Sequence, residues 1–286
     1  MKVARTRAQL AAARGALPNP VGFVPTMGAL HAGHGRLLAA ARADAAVVAS
    51  IFVNPRQFGP AEDFARYPRD EAADLDFLAR AGVDVAFVPP VEEVYPPGAT
   101  TSVDVGALGE VLEGAVRPGH FRGVATVVTT LFALVAPQHA YFGQKDGQQV
   151  VVIRRLVRDL GLPIEVVVCP TVREADGLAF SSRNRYLSPA ERAAATILQR
   201  SLGEVYRAYR DGERSGDVLR ALMAEVVARE PSLAPDYFSV ADAETLAELE
   251  WVDRPTLVSL AVRSASARLI DCLPLPDPSG AGLSIA

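Results

Sequence analysis

At 286 residues the chain exceeds the usual size of one domain, so a large domain with a smaller companion is expected. Half of the residues are hydrophobic and 22% are charged, the composition of a globular protein with a substantial core. The net charge of −4 argues against the broad basic footprint of a nucleic-acid-binding domain, while leaving room for a few cations gathered around a small anion.

The N-terminal residues lead into an Ala-rich stretch broken by Arg14 and Gly15, too short an apolar run for a secretory core segment. Gly, Pro or charge interrupts every later apolar run, so no membrane segment is expected and a cytoplasmic location follows. Residues 21–25 form a short apolar run closed by Pro25, which predicts a buried strand. A Gly-rich turn follows, then a helix over 36–42 and a second buried strand over 45–53, stopped by Asn54 and Pro55. Ala72, Leu75, Leu78 and Ala79 recur at helical spacing in 70–81, with Gly82 placed as a helix C-terminal glycine, and 84–88 is a third strand. Helix 126–135, strand 139–143, helix 147–160 and strand 164–168 resume the alternation.

Strand and helix alternating through short connections predict an α/β fold, a Rossmann-like parallel sheet that binds ligands at its strand C-termini. From about Ser188 the character changes. Ser188, Pro189 and Glu191 make a helix start with Ser at the cap, Pro at the first turn and Glu three residues on. One long Ala/Leu/Arg helix is expected there, then a helix over 216–229 and short strands over 237–240 and 257–262. The expected division is 1–171 for the Rossmann-like domain and 172–286 for a smaller α+β domain; 274–286, rich in Pro, Gly and Ser, is expected to be loosely ordered. Cys169 and Cys272 lie far apart among apolar residues and read as buried hydrophobes, neither a disulfide nor a metal set.

The first chemical constellation is Pro25-Thr26-Met27-Gly28-Ala29-Leu30-His31-Ala32-Gly33-His34-Gly35, between a strand end and a helix start, where α/β folds bind phosphate. Gly28 and Gly33 have P-loop spacing, but His34 and Gly35 stand where Lys and Ser/Thr belong, and a dinucleotide fingerprint lacks its third small residue. What remains is a pair of imidazoles at a helix N-terminus, suited to charge building on a transferring phosphate. A metal-ligand pair without a nearby third ligand, and a purely structural pair, are the competing readings.

Three further segments end strands or cross the domain boundary. Asn54 and Gln57 follow the second strand; Asn54 alone reads equally well as a turn cap, whereas the Gln57 amide suits both a hydroxyl and a carboxylate. Gly143-Gln144-Lys145-Asp146 ends a strand, with Lys145 placed for phosphate oxygens and Asp146 for ribose hydroxyls. Ser181, Ser182 and Arg183 combine hydroxyls with a planar guanidinium fork, the parts of a phosphate clamp.

The H-x-G-H pattern of His31 to His34 resembles the nucleotidyltransferase superfamily, and the ten residues from Pro25 to His34 resemble the pantothenate synthetase family in particular. The resemblance extends over most of 21–190. It implies ATP-dependent ligation of pantoate and β-alanine through a pantoyl adenylate, with Mg²⁺ carried mainly on the ATP phosphates, and a homodimer. His34 and His31 would stabilise the α-phosphate transition state with Lys145 and Arg183 neutralising charge. Met27, Gly28, Ala29, Leu30, Ala32, Gly33, Gly143, Gln144, Asp146, Val172, Phe180, Ser181 and Ser182 would complete the ATP site, Val172 against adenine. Gln57, Gln149 and Asn54 would bind pantoate, and Arg117, His120 and Arg122 would wall the site. The family's magnesium region falls around Asp74, where Ala73 replaces a neighbouring acid. Gln144 replaces the family's usual acid and Gly147 its frequent aromatic residue; a glycine there would weaken a helix start by up to about 1 kcal/mol.

Two rivals stand beside this reading. A nucleotidyltransferase making a dinucleotide or charging tRNA fits poorly with the two glutamine segments and the acidic charge. A nucleotide-binding regulator without turnover is kept open by Gln144 and Gly147.

Overall fold

The structure is a computed structural model, which describes residues 1–60 and 62–277. The chain packs as two compact units, one of 1–142 with 152–169 and the other of 143–151 with 170 onward.

The first unit is built on six strands, β1 (Lys2–Ala4), β2 (Val21–Thr26), β3 (Ala46–Ile51), β4 (Val85–Phe87), β5 (His139–Gly143) and β6 (Glu165–Cys169), in the order β1-β4-β3-β2-β5-β6. The pairs β1–β4, β4–β3, β3–β2 and β2–β5 are all parallel. From β2 the chain steps outward through β3 to β4, then returns to β2's other side for β5 and β6. The reversal beside β2 is the topological switch at which such sheets bind ligands.

Helices α1 (Arg7–Gly15), α2 (Ala32–Asp44), α3 (Glu71–Arg80), the short α4 (Val91–Val94) and α5 (Glu113–Val116), α6 (His120–Val135) and α7 (Gly147–Asp159) connect these strands. Val24, Val47, Ala49 and Ala86 of the sheet pack with Leu37, Leu38 and Ala41 of α2 and Leu78 of α3 in one apolar cluster. Asp70 caps α3 by accepting the Ala73 N–H, and Gly82 follows its C-cap at φ +76°, a left-handed turn. Asp74 lies one helical turn before Leu78, so both project to the buried side of α3.

In the first unit three elements differ from expectation. α1 was concealed in the Ala-rich stretch; Thr6 accepts the Gln9 N–H while the Gln9 side chain returns to the cap, a reciprocal box legible as T-x-x-Q. α6 begins at His120 rather than 126, because Gly119 at φ +81° starts it and Gly123 dilutes its helical signal. β1 is only three residues long.

The second unit holds an antiparallel sheet, β7 (Ala234–Asp242), β8 (Thr256–Arg263) and β9 (Arg268–Leu275), packed with α8 (Pro189–Ala195), α9 (Ile197–Arg210) and α10 (Gly216–Val227). Ser188 accepts from the Glu191 N–H and Glu191 accepts from the Ser188 N–H, as the capping pattern requires. The expected single helix is two: Thr196 interrupts it, its hydroxyl donating to the Ala193 carbonyl at 2.8 Å. Leu198, Leu202 and Val205 of α9, Leu219 and Met223 of α10, and Val258, Leu260 and Leu273 of the sheet share the core. Pro274 and Leu275 belong to β9 rather than to a loose tail; 278–286 lie outside the described residues. Among the described residues no helix is long and apolar enough to cross a membrane.

Candidate active site

Thr26 ends β2 and ties the following turn to β3: its hydroxyl donates to the Ser50 carbonyl at 2.6 Å and accepts the Gly28 N–H at 3.2 Å. Gly28 (φ +83°) and Ala29 (φ 52°) then double the chain back. A Cβ at position 28 would stand 2.7 Å from Asp74 Oδ2, so glycine is needed for space as well as conformation. Asp74, 4% exposed, accepts the Ala29 N–H at 2.9 Å and the Leu30 N–H at 2.8 Å, one on each carboxylate oxygen.

The chain enters α2 through an unusual cap. His31 is the N-cap, its Nδ1 accepting the Gly33 N–H at 3.2 Å, and His34 Nδ1 accepts the His31 N–H at 3.3 Å. The ring centroids lie 4.1 Å apart at 43°. Because each Nδ1 is an acceptor, the neutral rings carry their protons on Nε2. Both imidazoles therefore present Nε2–H donors at a helix N-terminus, where the orphan amides and the helix dipole favour an anion.

After β3, Asn54 is buried with both ends of its amide engaged. Its Oδ1 accepts from the Arg56 N–H (3.2 Å) and the Tyr95 hydroxyl (2.8 Å), and its Nδ2 donates to Gln57 Oε1 (2.9 Å) and the Gly123 carbonyl (3.1 Å). That fixes the Gln57 amide: Oε1 faces Asn54 and Nε2 lies 3.2 Å from Met27 Sδ. The Gln57 backbone is held too, its carbonyl accepting from His120 Nδ1 at 2.8 Å and from Arg117 at 3.4 Å. Arg117 in turn pairs with Glu62 at 2.5 Å and donates to His120 Nε2 at 3.1 Å, so His120 is the Nδ1–H tautomer. Burial first, then the Arg117 cation, push His120 down to about 4, which keeps it neutral. α6 presses close on this turn: a side chain at Gly123 would collide with the Arg56 carbonyl. Arg122, expected as a wall, is exposed and paired with Asp104 at 2.7 Å. Tyr95 lies beneath the Arg56 guanidinium, 4.1 Å from its ring centre, and burial raises its hydroxyl to about 12.

In the second unit, Gly143 leads into a 3-10 turn of Gln144, Lys145 and Asp146, with Lys145 Nζ 3.4 Å from Asp146 Oδ1. Gly147 opens α7, and an added Cβ would stand 2.8 Å from both Cys272 Sγ and Leu257 Cδ1. An aromatic side chain has no room there as the unit is packed. Gln149 is half-buried two residues further along α7.

Val172 and Phe180 face one another across a tight hairpin: the Phe180 N–H donates to the Val172 carbonyl at 3.0 Å, and Gly177 turns at φ +92°. Ser181 caps the following 3-10 turn, Ser182–Tyr186, by accepting the Arg183 N–H at 3.3 Å. Asn184 fastens the base of this segment to the Glu174 carboxylate (2.9 Å) and the Ala179 carbonyl (3.0 Å), and Arg192 pairs with Glu174 and Asp176.

The first unit thus gathers Met27, the Gly28–His34 turn, Asn54 and Gln57. The second gathers Lys145 and Asp146 with the Val172–Phe180 hairpin and Ser181–Arg183. Asn54 emerges as the holder of Gln57 through a saturated amide, and Asp74 as a clamp on the turn before His31. Sequence reasoning passed over Glu62, Tyr95, Arg173 and Asp271. The placement of Asp74 one turn before a buried leucine was the available signal for a buried carboxylate. Along α7 Arg154 and Arg158 are exposed, whereas Arg155 is half-buried.

The family described as pantoate-beta-alanine ligase matches residues 1–274. The chain is 57% identical over 272 residues to the pantothenate synthetase of Roseiflexus sp. (strain RS-1), covering 95% of this chain and 98% of the relative. It is 57% identical over 273 residues to that of Chloroflexus aggregans, with the same coverage of both. Among solved structures, the pantothenate synthetase of Thermus thermophilus superposes with a TM-score of 0.91 at 51% identity, over 96% of this chain and 99% of that one. A Francisella tularensis pantoate-beta-alanine ligase, complexed with beta-gamma ATP and beta-alanine, gives 0.75 at 32% identity, over 96% and 97%. With the six-stranded sheet, the His31–His34 turn and this coverage, the chain belongs to the pantoate-beta-alanine ligase family.

Proposed function

We propose that this chain joins pantoate to β-alanine in two steps driven by ATP. A pantoate carboxylate oxygen attacks the α-phosphorus of ATP, forming a P–O bond as the bond to pyrophosphate breaks. The β-alanine amine then attacks the acyl carbonyl; a C–N bond forms, AMP leaves, and the amine gives up a proton. Family membership supports the reaction, and the Francisella relative's complex with an ATP compound and β-alanine supports both ligands.

The observation that carries the residue roles is the reciprocal capping of His31 and His34, which commits each Nδ1 as an acceptor and leaves the ring proton on Nε2 at a helix N-terminus. They would donate to α-phosphate oxygens as charge builds, without reorganising. Met27, Gly28, Ala29, Leu30, Ala32 and Gly33 shape that turn. Lys145, Ser181, Ser182 and Arg183 would neutralise the triphosphate, with Gly143, Gln144 and Asp146 on the ribose side and Val172 and Phe180 against adenine. Gln57 and Gln149 would hold pantoate for in-line attack, Gln57 donating from the second N–H of its Nε2, whose other partner is Met27 Sδ.

Among the described residues no group of three His, Cys, Asp or Glu side chains is placed to hold a metal, and both Asp74 oxygens are engaged by main-chain amides. Mg²⁺ would be carried mainly on the ATP phosphates. A cytoplasmic homodimer is part of the same reading, supported by the family resemblance and open to test by light scattering.

The test is pantoate-dependent exchange of labelled pyrophosphate into ATP without β-alanine. Exchange that requires pantoate is expected. ATP binding without exchange would refute the reading.

A further inference from the structure

β9 is buried on both faces at Asp271 and Cys272, and each residue reaches a different nucleotide-handling segment of the second unit. Asp271 makes a two-pronged ion pair with Arg173, at 2.6 and 3.1 Å, with both side chains withdrawn from solvent. Arg173 also donates to the Gly177 carbonyl at 3.2 Å and bridges Ala179 across the hairpin that leads into Ser181. On the opposite face of the strand, Cys272 Sγ donates to the Gln144 carbonyl at 2.8 Å and lies 3.6 Å from the Lys145 carbonyl. The Gln144 amide returns to the same sulfur at 3.8 Å. The sulfur also fills the space that a side chain at Gly147 would need.

We infer that Asp271 and Cys272 are positioning residues for ATP: through the two faces of one strand they hold the Lys145 turn and the Arg173 hairpin in a fixed relation, so that Lys145 and Ser181–Arg183 meet one triphosphate together. The inference rests on the assignment of those segments to ATP. Burial above all, with Asp271 beside it, raises the Cys272 thiol to about 12, so it stays an S–H donor. Gly147 and Cys272 then form a close-packed pair, the sulfur standing 2.8 Å from where a side chain at 147 would put its first carbon, with Leu257 Cδ1 as near.

The experiment compares Cys272→Ala, Cys272→Ser, Gly147→Ala and Gly147→Ala/Cys272→Ala by ATP affinity in calorimetry, by KM for ATP and for pantoate in the exchange assay, and by thermal midpoint. Loss of one hydrogen bond to the Lys145 turn should weaken ATP binding about fivefold in Cys272→Ala. KM for pantoate should stay within about twofold and Cys272→Ser should recover most of the loss, since its hydroxyl can donate to the same carbonyl. Gly147→Ala should weaken ATP binding too, and less so once Cys272 is already alanine. Asp271→Asn should act in the same direction; if it fails to fold, the Cys272 series decides alone. A lowered thermal midpoint with unchanged ATP affinity and KM, or an equal rise in both KM values without rescue by serine, would reduce Cys272 to packing and overturn the inference. Wild-type protein that binds ATP but shows no exchange defeats the reaction assigned above, and the ATP affinity of Cys272→Ala still decides this proposal.

Discussion

His34 accepts the main-chain N–H of His31 while His31 accepts that of Gly33, so one pair of side chains both starts α2 and directs its donors. The two tasks fall on different ring nitrogens and can be separated. Asn at 34 imitates Nδ1 and should preserve the cap, whereas Gln imitates Nε2 and should preserve the donor. His34→Asn is expected to keep the wild-type thermal midpoint and lose about 100-fold or more in kcat of exchange, as removal of an oxyanion donor does. His34→Gln should lose some stability and retain more activity. Equal kcat in the two variants would contradict the assignment of Nε2 to the phosphate.

Asp74 holds two amides of the turn that carries His31. Asp74→Ala strands both in a buried setting, at a cost of about 1–3 kcal/mol each. Asp74→Asn keeps one acceptor and turns an NH₂ toward the other amide, so it should be nearly as harmful. Urea unfolding should register the loss, and KM for ATP should rise in whatever protein remains folded. If added Mg²⁺ rescued either variant, a metal role for Asp74 would replace the clamp.

Asn54 and Gln57 act as one unit, because the first fixes the amide of the second. Gln57→Ala should raise KM for pantoate about tenfold, the worth of a well-placed hydrogen bond with its alignment. Asn54→Ala should do nearly the same, and the double variant should be far from the product of the two. Multiplicative effects would mean that Asn54 binds pantoate on its own account.

His120 gives a pH signature. Its folded value near 4 lies below the ordinary 6.5, so the unfolded chain takes up a proton between those values that the folded chain refuses. Stability should therefore fall as pH drops from about 6.5 to 4, by at most about 3 kcal/mol. Glu62 is held below its ordinary 4.5: burial pushes it up, but the Arg117 hydrogen bond and charge prevail, and its contribution is lost only at lower pH. Urea unfolding at pH 7 and pH 5 should show the difference in wild type and little of it in His120→Gln.

The Arg173–Asp271 pair is fully buried. Removing Asp271 alone should cost about 3–5 kcal/mol, because the guanidinium is left uncompensated. Arg173→Met/Asp271→Leu should be less damaging in urea unfolding than either single change, yet should still weaken ATP binding if the pair positions the hairpin.

Much of the sheet was readable because β2 and β3 are continuous apolar runs punctuated by proline, and α3 shows a clear helical period. β9 was hidden by its composition: Arg268, Asp271 and two prolines at 274 and 276 disguise a strand whose charged residue is buried only through a partner almost a hundred positions away. The glycine and histidine turn announced itself by residue type, and so did Ser181–Arg183. Their supports did not. Nothing local tells that Asp74 faces two amides, that the Asn54 amide is saturated, or that Cys272 lies against Gln144, since each depends on long-range packing.

Gly123 sits in the first turn of α6, within the helix proper, yet the Arg56 carbonyl oxygen stands 2.2 Å from where its first side-chain carbon would be. The usual route to a sturdier helix, replacing an interior glycine by alanine, is therefore closed at this position. Any attempt to raise heat resistance through α6 would have to work around residue 123, because its emptiness is what lets the Gln57 turn lie flush against the helix.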